Sequence, residues 1–218
     1  MRKQYDTMLK TLGDNLVRMA DGAEDAIKKA LKALVGKDRA LAESVIKSDE
    51  KINDYEKQIE RQALKLIYRE QPVAEDLRHV STALKMITDI ERIGDQAADI
   101  CTVALKIMHE PYCKDLVHIP AMAEKAIEMV SGSVRAYANG DLALANEIIK
   151  KDDGVDDLFE VIKNEMIMII KASPEYAEQV IYLMMIAKYI ERIGDHAVNI
   201  AEWVIFNLTG THRNLQVL

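Results

Sequence analysis

The sequence predicts an all-α protein made of two repeated three-helix bundles, with six long antiparallel helices related by a pseudo-twofold axis. Residues 91–100, ERIGDQAADI, return as ERIGDHAVNI at residues 191–200, so the 218-residue chain contains two versions of one unit. Hydrophobic residues make up 49% of the chain but aromatic residues only 5%, which suits the packing of aliphatic helices. The four prolines and nine glycines are few enough to leave the helices long.

Apolar residues at three- and four-residue steps, bounded by glycine, proline and N-cap signals, predict where the six helices lie. They cover about residues 3–34, 39–69, 75–108, 120–138, 142–172 and 174–208. Asp38, Asp141 and Ser173 are the predicted N-caps.

The repeat extends beyond the ten-residue motif. Residues 38–49 match residues 141–152 at an offset of 103, and Pro72 and Pro174 occupy equivalent places. We therefore assign the first repeat to residues 1–110 and the second to residues 111–218.

The composition limits which classes of protein remain. The formal net charge is −7, and we find no basic cluster of the kind that follows nucleic-acid backbones, so we expect no nucleic-acid partner. Cys101 and Cys113 have no CxxC spacing and are expected to be reduced thiols. No signal peptide is visible, and the apolar stretches are too short to span a bilayer. These features predict a cytoplasmic protein without direct membrane insertion, although it could dock on a membrane protein.

Each copy of the motif carries oxygen-bearing side chains four residues apart. This spacing advances about 40° around a helix and about 6 Å along it. Like charges at this spacing disfavour a helix unless something compensates them, and a bound cation would do so. The two ladders flank an apolar stripe, which predicts that they lie near a helix–helix seam. They consist of Glu91, Asp95 and Asp99, and of Glu191, Asp195 and Asn199.

Further polar residues in the second and fifth helices could complete two oxygen-rich clusters. Carboxylate ligands without thiolates favour magnesium, calcium, manganese or iron over structural zinc. Gly94 and Gly194 lie inside helices, where each costs about 1 kcal/mol relative to alanine. They allow either close helix packing or room for a hydrated ion. The additional candidates are Asp49, Asn53, Asp54, Asp152, Asp153, Asp156, Asp157 and Glu160.

Simpler interpretations stay open. The acids could merely be solvated, or they could pair with Arg92 and Arg192. His196 points about 100° away from the ladder and is expected at a surface or interface. Met184 and Met185 could serve a partner surface. We find no Glu-x-x-His pair, no nucleophile beside a base and no glycine-rich phosphate loop, so we expect a protein that is not an enzyme.

Two three-helix units, each with Glu-Arg-Ile-Gly-Asp in its third helix, resemble the PhoU family over essentially the whole chain. The motif occupies residues 91–95 and 191–195, and residues 49–53 and 152–156 resemble the acidic segment of the family. The resemblance implies a cytoplasmic negative regulator of phosphate uptake and of the phosphate-starvation response. It also implies contacts with the ATPase subunit of a phosphate ABC transporter and with a phosphate-sensing histidine kinase, and a homodimer.

The resemblance further implies metal ions on the acidic motifs, namely iron or zinc, and the carboxylate ligands add manganese, magnesium and calcium as candidates. It assigns Asn53, Glu91, Asp95 and Asp99 to a first site. It assigns Asp152, Asp156, Glu191 and Asp195 to a second. Asn53 and Asn199 stand where carboxylates would strengthen the ladders, so each site is expected to be weaker than an all-acid version. The alternatives are a metal-dependent enzyme on a helical bundle and a purely structural helical dimer.

Overall fold

The computed structural model describes residues 2–212 and 215–216. Seven α-helices and a single turn of 3₁₀-helix account for most of this part of the chain. The helices are α1 (Arg2–Gly36), α2 (Arg39–Glu70), α3 (Glu75–Ile107), α4 (His118–Asn139), α5 (Leu142–Lys151), α6 (Asp153–Ala172) and α7 (Ala177–Thr209). Because α5 and α6 together form the predicted fifth helix, the all-α class and the arrangement of six long helices in two repeats are confirmed.

Equivalent caps start the second helix of each repeat. The Asp38 carboxylate accepts a hydrogen bond from the Leu41 backbone N–H at 2.9 Å, as predicted. The Asp141 carboxylate accepts one from Leu144 at the same distance. Each bond satisfies a donor that the first helical turn leaves without a partner.

Two details of the predicted second repeat are wrong. The fifth helix is interrupted at Asp152, because its carbonyl also accepts a bond from Val155, three residues on, which tightens the turn. Ser173 makes no side-chain capping bond. Its backbone carbonyl accepts a bond from Tyr176 instead, so Pro174–Tyr176 forms a 3₁₀ turn before α7 begins.

A short hairpin after α7 was not predicted. Strands β1 (Thr211–His212) and β2 (Leu215–Gln216) pair antiparallel, with Thr211 opposite Gln216. The His212 ring stacks on Trp203 with 4.0 Å between the ring centroids, which holds the hairpin against α7. The two-residue strands are too short to give a period that a sequence pattern reveals.

The core is continuous across both repeats. Helix α3 packs most extensively against α7, while α1 and α2 complete the first repeat and α4 to α6 complete the second. The isoleucines of the repeated motif, among them Ile93 and Ile193, are buried. Since the third helices of the two repeats, α3 and α7, pack against each other in this core, the core does not mark where one repeat ends and the next begins. The predicted boundary near residue 110 therefore stays a prediction.

The segment between the repeats is tied to helices on both sides. The Tyr112 hydroxyl donates to the Leu34 carbonyl at 2.7 Å, and the Cys113 N–H donates to the side chain of Gln179 at 2.5 Å. Both cysteines are free thiols. Among the described helices, none is both long and apolar enough to cross a membrane.

Candidate functional site: two acidic seams

The first acidic seam lies where α2 packs on α3. It contains Asp49, Asn53 and Glu56 of α2 with Glu91, Asp95 and Asp99 of α3. The contact is close because Gly94 has no side chain. A Cβ at that position would lie 2.8 Å from Ile52 Cδ1 and 3.2 Å from Asp49 Oδ1. Gly94 therefore serves both helix packing and the approach of a carboxylate.

Asp49 lies at the centre of the first seam. Burial, followed by the charge of Asp95, raises the pKa of its carboxyl, while a hydrogen bond from Asn53 Nδ2 to Asp49 Oδ2 at 3.2 Å opposes the shift. Asp49 Oδ1 and Asn53 Oδ1 are buried and accept no hydrogen bond from the described residues. Two oxygens thus face the seam without a proton donor.

Arg92 partly neutralises the α3 side of this seam. Its guanidinium lies 3.4 Å from Glu91 Oε2 and 3.3 Å from Asp95 Oδ2. The pKa of Glu91 is nevertheless raised, first by burial and then by Asp95. Partial burial and Asp95 also raise the pKa of Asp99, which Arg192 opposes from the other repeat. One arginine is therefore too little to balance the acids of the seam.

The second acidic seam lies between the α5–α6 junction and α7. It contains Asp152 and Asp156 on one side with Glu191 and Asp195 on the other. Gly194 opens this contact as Gly94 does the first, since a Cβ there would lie 3.2 Å from Asp152 Oδ1. The nearest apolar atom, Val155 Cγ1, would be 3.5 Å away, so helix packing is looser here.

Charge repulsion is strongest around Asp152. Burial raises the pKa of its carboxyl to about 6, with further contributions from Asp156, Asp195 and Asp153. Burial and the neighbouring acids raise the pKa of Asp156 and of Asp195 as well. At neutral pH these carboxylates are held together against their mutual repulsion, an arrangement that a cation would stabilise.

Lys188 is the main cation at the second seam. Its ammonium group pairs with Glu191 Oε2 and also lies over the Phe159 ring, 5.4 Å from the centroid. The charge of Lys188 opposes the rise in the pKa of Asp156 and of Asp195. It has no comparable contribution to the pKa of Asp152, so that carboxylate remains poorly balanced.

The eight predicted ligands do group into two seams, and the first seam has two further members: Asp49, which was predicted only as an additional candidate, and Glu56, which was not predicted. Asp49 contacts Asn53 directly, and Glu56 interacts electrostatically with Glu91. The offset of 103, which aligns Asp49 with Asp152, was a usable signal for Asp49. The same offset aligns Glu56 with Phe159, so the repeat gives no signal for Glu56. The other candidate acids, Asp54, Asp153, Asp157 and Glu160, are exposed.

The third rung of the second ladder has another role. Asn199 Nδ2 donates to Asp89 Oδ1 at 3.1 Å, and His196 Nδ1 lies 2.9 Å from the same oxygen. Both contacts join α7 to α3 across the two repeats. His196 thus lies at the interface between the repeats, as its 100° offset from the ladder predicted.

The donor set suits a hard or borderline divalent cation, because each seam offers crowded carboxylate oxygens whose charges are incompletely balanced. Within residues 2–212 and 215–216, no three His, Cys, Asp or Glu side chains are already arranged around one ion position. Side-chain rotation at the seams would therefore have to accompany binding. Metal ligation by the eight predicted residues stays a prediction.

Comparisons with known proteins agree with this architecture. The PhoU domain matches residues 16–104 and again residues 119–204. A phosphate-specific transport system accessory protein PhoU homolog from Clostridium acetobutylicum is 37% identical over 215 residues, which is 98% of each chain. The Pseudomonas aeruginosa homolog is 30% identical over 210 residues, covering 96% of this chain and 87% of that one.

Solved structures show the same relationship. The crystal structure of PhoU from Pseudomonas aeruginosa has a TM-score of 0.91 at 30% identity, covering 95% of this chain and all of that one. The phosphate transport system regulatory protein PhoU from Streptococcus pneumoniae has a TM-score of 0.90 at 26% identity, covering 97% of this chain and 100% of the other. By sequence and by structure, this chain belongs to the PhoU family.

Proposed function

We propose that this protein is a cytoplasmic accessory protein of phosphate-specific transport that negatively regulates phosphate uptake and the phosphate-starvation response. One observation carries the proposal. Relatives that share nearly the full length of the chain are named as accessory proteins of phosphate-specific transport. The role is regulatory rather than enzymatic, and it depends on contact with other proteins.

The partners we propose are the ATPase subunit of the phosphate ABC transporter and a phosphate-sensing histidine kinase. Support for the transporter comes from the names of the relatives, which associate those proteins with the phosphate-specific transport system. The histidine kinase follows from the family resemblance of the two motifs. A regulator that contacts both could couple uptake to gene control.

We further propose that each acidic seam holds metal ions. Glu91, Asp95 and Asp99 with Asn53 would hold the first, and Asp49 is a fitting additional donor. Asp152, Asp156, Glu191 and Asp195 would hold the second. The bound cation would supply positive charge that offsets the repulsion between carboxylates. This would stiffen the contact between the helices or bridge it to a partner.

We also propose that the protein forms a homodimer. The outer faces of α6 and α7 form an apolar groove of about 410 Å³. Ile167, Ile181 and Met185 line it and are 43%, 56% and 39% exposed. An apolar face of this kind is typical of subunit interfaces, and a second copy would cover it. The predicted partner role of Met184 and Met185 agrees with this assignment, since both line the groove.

The regulatory proposal is tested in a strain that lacks the gene, complemented with variants. The seam variant Glu91→Gln, Asp95→Asn, Glu191→Gln, Asp195→Asn removes four charges from the two seams. We expect it to lose repression of a phosphate-starvation reporter in phosphate-rich medium and to raise phosphate uptake.

A matched control removes four exposed acids that the structure places in neither acidic seam, with Asp54→Asn, Asp157→Asn, Glu147→Gln and Glu160→Gln. It should retain repression and normal uptake. Normal regulation by the seam variant would contradict the proposed role of the seams. Failure of the unmodified gene to restore repression would contradict the function itself.

The metal proposal has a separate readout. Elemental analysis of protein purified without a metal-affinity tag should give stoichiometric metal in the parent and in the control variant, and loss in the seam variant. Absence of metal from the parent would overturn this part alone. Turnover of phosphate esters by the parent would instead favour a metal-dependent enzyme.

The dimer proposal is tested by mass measurement in solution. Ile181→Glu with Met185→Glu places two charges in the apolar groove and should convert a dimer into a monomer at micromolar concentration. Leu64→Glu with Tyr68→Glu, on the exposed face of α2, is the matched control and should leave the dimer intact. A parent that is already monomeric would overturn the proposal.

A further inference from the structure

A row of four cations lies on the outer surface of α2. Lys57, Arg61, Lys65 and Arg69, which we call the basic ridge, follow one another at four-residue steps and are all exposed. Each step turns about 40° and rises about 6 Å, so the ridge extends about 18 Å along the helix. It belongs to neither acidic seam, and the function proposed above makes no use of it.

The basic ridge has little compensation within the protein. Lys57 lies 3.9 Å from Asp54, while Arg61, Lys65 and Arg69 form no ion pair or hydrogen bond with any residue that the structure describes. Glu60 is the only acid between residues 57 and 69. It interacts with Glu56, on the side of the first acidic seam.

Some lysines elsewhere on the surface are paired with an acid at this same spacing. Lys28 lies 2.5 Å from Glu24, and Lys29 lies 2.5 Å from Asp25. Four like charges in a row disfavour their own helix, because neighbours at i and i+4 repel. The ridge is therefore a cost to the isolated protein that an anionic partner would remove.

Exposed apolar side chains accompany these cations. Leu64 is 53% exposed and Tyr68 is 84% exposed. The ridge turns through about 120° from Lys57 to Arg69, and both apolar side chains lie within about 20° of Lys57 around the helix axis, so they border one side of the ridge. Val73, just after the end of α2, is 72% exposed. The face thus combines positive charge with side chains that gain from leaving water.

The second repeat lacks this surface. The offset of 103 aligns the first three cations of the ridge with Glu160, Asn164 and Met168, while the equivalence of Pro72 and Pro174 aligns Arg69 with Lys171. The fold is therefore compatible with neutral or acidic residues at the first three positions. Four cations in the first repeat indicate a role in binding rather than in folding.

We propose that the basic ridge docks the protein on the anionic surface of a lipid bilayer. Cations interleaved with aliphatic and aromatic side chains on one helical face are typical of helices that lie at a membrane interface. An acidic protein segment is the other occupant that the cations would attract, and the vesicle test below distinguishes it from a bilayer. Beside the ridge, Asp54, Gln58 and Gln62 line a shallow depression of about 500 Å³ with three of the cations. Three cations against one acid leave this depression with a positive charge that suits the phosphate of a lipid headgroup.

The net charge of −7 does not prevent this attachment. At about 0.1 M salt the Debye length is about 10 Å, so acids on distant faces are screened from the bilayer while the ridge in contact with it is not. The attachment is peripheral. It would bring the first repeat to the membrane and leave the apolar groove of the second repeat free for a protein.

The test is sedimentation of the full chain with vesicles. At about 0.1 M salt the protein should bind vesicles that contain about 30% phosphatidylglycerol and should not bind pure phosphatidylcholine vesicles. The ridge variant Lys57→Gln, Arg61→Gln, Lys65→Gln, Arg69→Gln should bind at least about tenfold more weakly. Leu64→Ser with Tyr68→Ser should also weaken binding, which charge attraction alone would not explain.

A charge-matched control separates the ridge from net charge. Lys28→Gln, Lys29→Gln, Arg39→Gln and Lys151→Gln remove four cations that are already ion-paired. This control should bind within about twofold of the parent if the ridge is the contact. Equal loss in both variants, or no binding by the parent, would overturn the proposal. Binding of the ridge to soluble polyglutamate but not to vesicles would overturn it in favour of an acidic protein partner.

Discussion

The two repeats carry the same Glu-Arg-Ile-Gly-Asp motif but differ in how the surrounding residues balance its charge. In the first seam Arg92 lies between Glu91 and Asp95, and Asn53 donates a hydrogen bond to Asp49. In the second, a carboxylate replaces the amide at the position of Asn53, and the pKa of Asp152 rises to about 6. Duplication thus preserves the helices and the glycine contact, while single substitutions set the electrostatics of each seam.

The outer faces of the repeats differ even more. The second helix of the first repeat presents the basic ridge, whereas its counterpart α6 contributes to an apolar groove. Because the inner faces must pack against one another, their residues stay alike in both copies. The outer faces have no such constraint, so their residues are free to differ between two copies of one unit.

The largest effect on stability is expected at a contact between α3 and α7 where the two repeats carry different residues. Asp89 accepts hydrogen bonds from both His196 and Asn199, while Tyr189 stands at the equivalent position. Asp89→Ala removes both hydrogen bonds and should lower the free energy of unfolding by about 1–3 kcal/mol, measured by urea denaturation.

The equivalent position in the other repeat provides the control for this experiment. Tyr189→Phe should change the stability by less than about 0.5 kcal/mol. Asp89→Asn keeps one acceptor oxygen and should lose less than Asp89→Ala. Equal losses for the two Asp89 variants would show that the hydrogen bonds contribute little and that the contact depends on packing.

The contacts at Gly94 and Gly194 provide a second test of how the two seams differ. A Cβ at position 94 would lie 2.8 Å from Ile52 Cδ1, but one at position 194 would meet apolar atoms only at 3.5 Å or more. Gly94→Ala should therefore destabilise the protein by about 1–2 kcal/mol despite its better helix propensity. Gly194→Ala should be neutral within about 1 kcal/mol.

A third glycine calibrates these two variants. A methyl group at Gly22 in α1 would meet no neighbouring side chain of the described residues within 4 Å. Gly22→Ala should therefore stabilise the protein by about 1 kcal/mol through helix propensity alone. If Gly94→Ala and Gly194→Ala unfold at the same midpoint temperature, the helices pack equally closely at both seams. The expected difference in packing between the seams would then be wrong.

The electrostatic difference predicts a pH dependence in protein freed of metal by a chelator. The folded-state pKa of Asp152 is about 6, above the unfolded value of 3.8, so its proton is bound more tightly in the folded protein. Lowering the pH from 7 towards 4 therefore adds stability through this group. Asp152→Asn should remove that contribution and raise the free energy of unfolding at pH 7 by about 1 kcal/mol, after allowance for solvent screening.

Asp49, the equivalent residue in the first seam, provides the matched variant for Asp152→Asn. Asp49→Asn should stabilise less, because the hydrogen bond from Asn53 already favours the charged form of Asp49. Denaturation curves collected at pH 5 and pH 7 would separate the two variants. An equal pH dependence for parent and Asp152→Asn would mean that Asp152 is well solvated in the folded protein.

Most of the fold follows from the sequence because local signals and global packing agree. The periodic apolar positions, the Asp38 and Asp141 caps and the repeated motif predict the helices and their grouping. The break at Asp152 could not be predicted, since its backbone angles remain helical and only the hydrogen-bond pattern changes. Ser173 looked like a cap in sequence, but its backbone makes the bonds that its side chain was expected to make.

The site was harder to predict than the fold. Spacing along one helix identified Glu91 and Asp95, but which acids of the facing helix reach them depends on the register of the packed pair. Glu56 shows this, since nothing in the repeat distinguishes it from the exposed acids of α2. The basic ridge was not predicted, although its four-residue spacing is present in the sequence, because whether acids of neighbouring helices pair with the cations depends on the folded structure.

The smallest expected effect concerns the turns that lead into α3 and α7. The α2–α3 turn places Ala74 at a φ of +50°, whereas the equivalent turn of the second repeat uses a 3₁₀ turn and leaves Ala177 at a φ of −54°. Ala74→Gly should relieve strain and raise the free energy of unfolding by about 0.5–1 kcal/mol. Ala177→Gly, in a helical conformation, should lower it by a similar amount. If both variants change the free energy of unfolding in the same direction, the two turns are equally strained. If the changes have opposite signs, the two repeats differ in backbone conformation as well as in side chains.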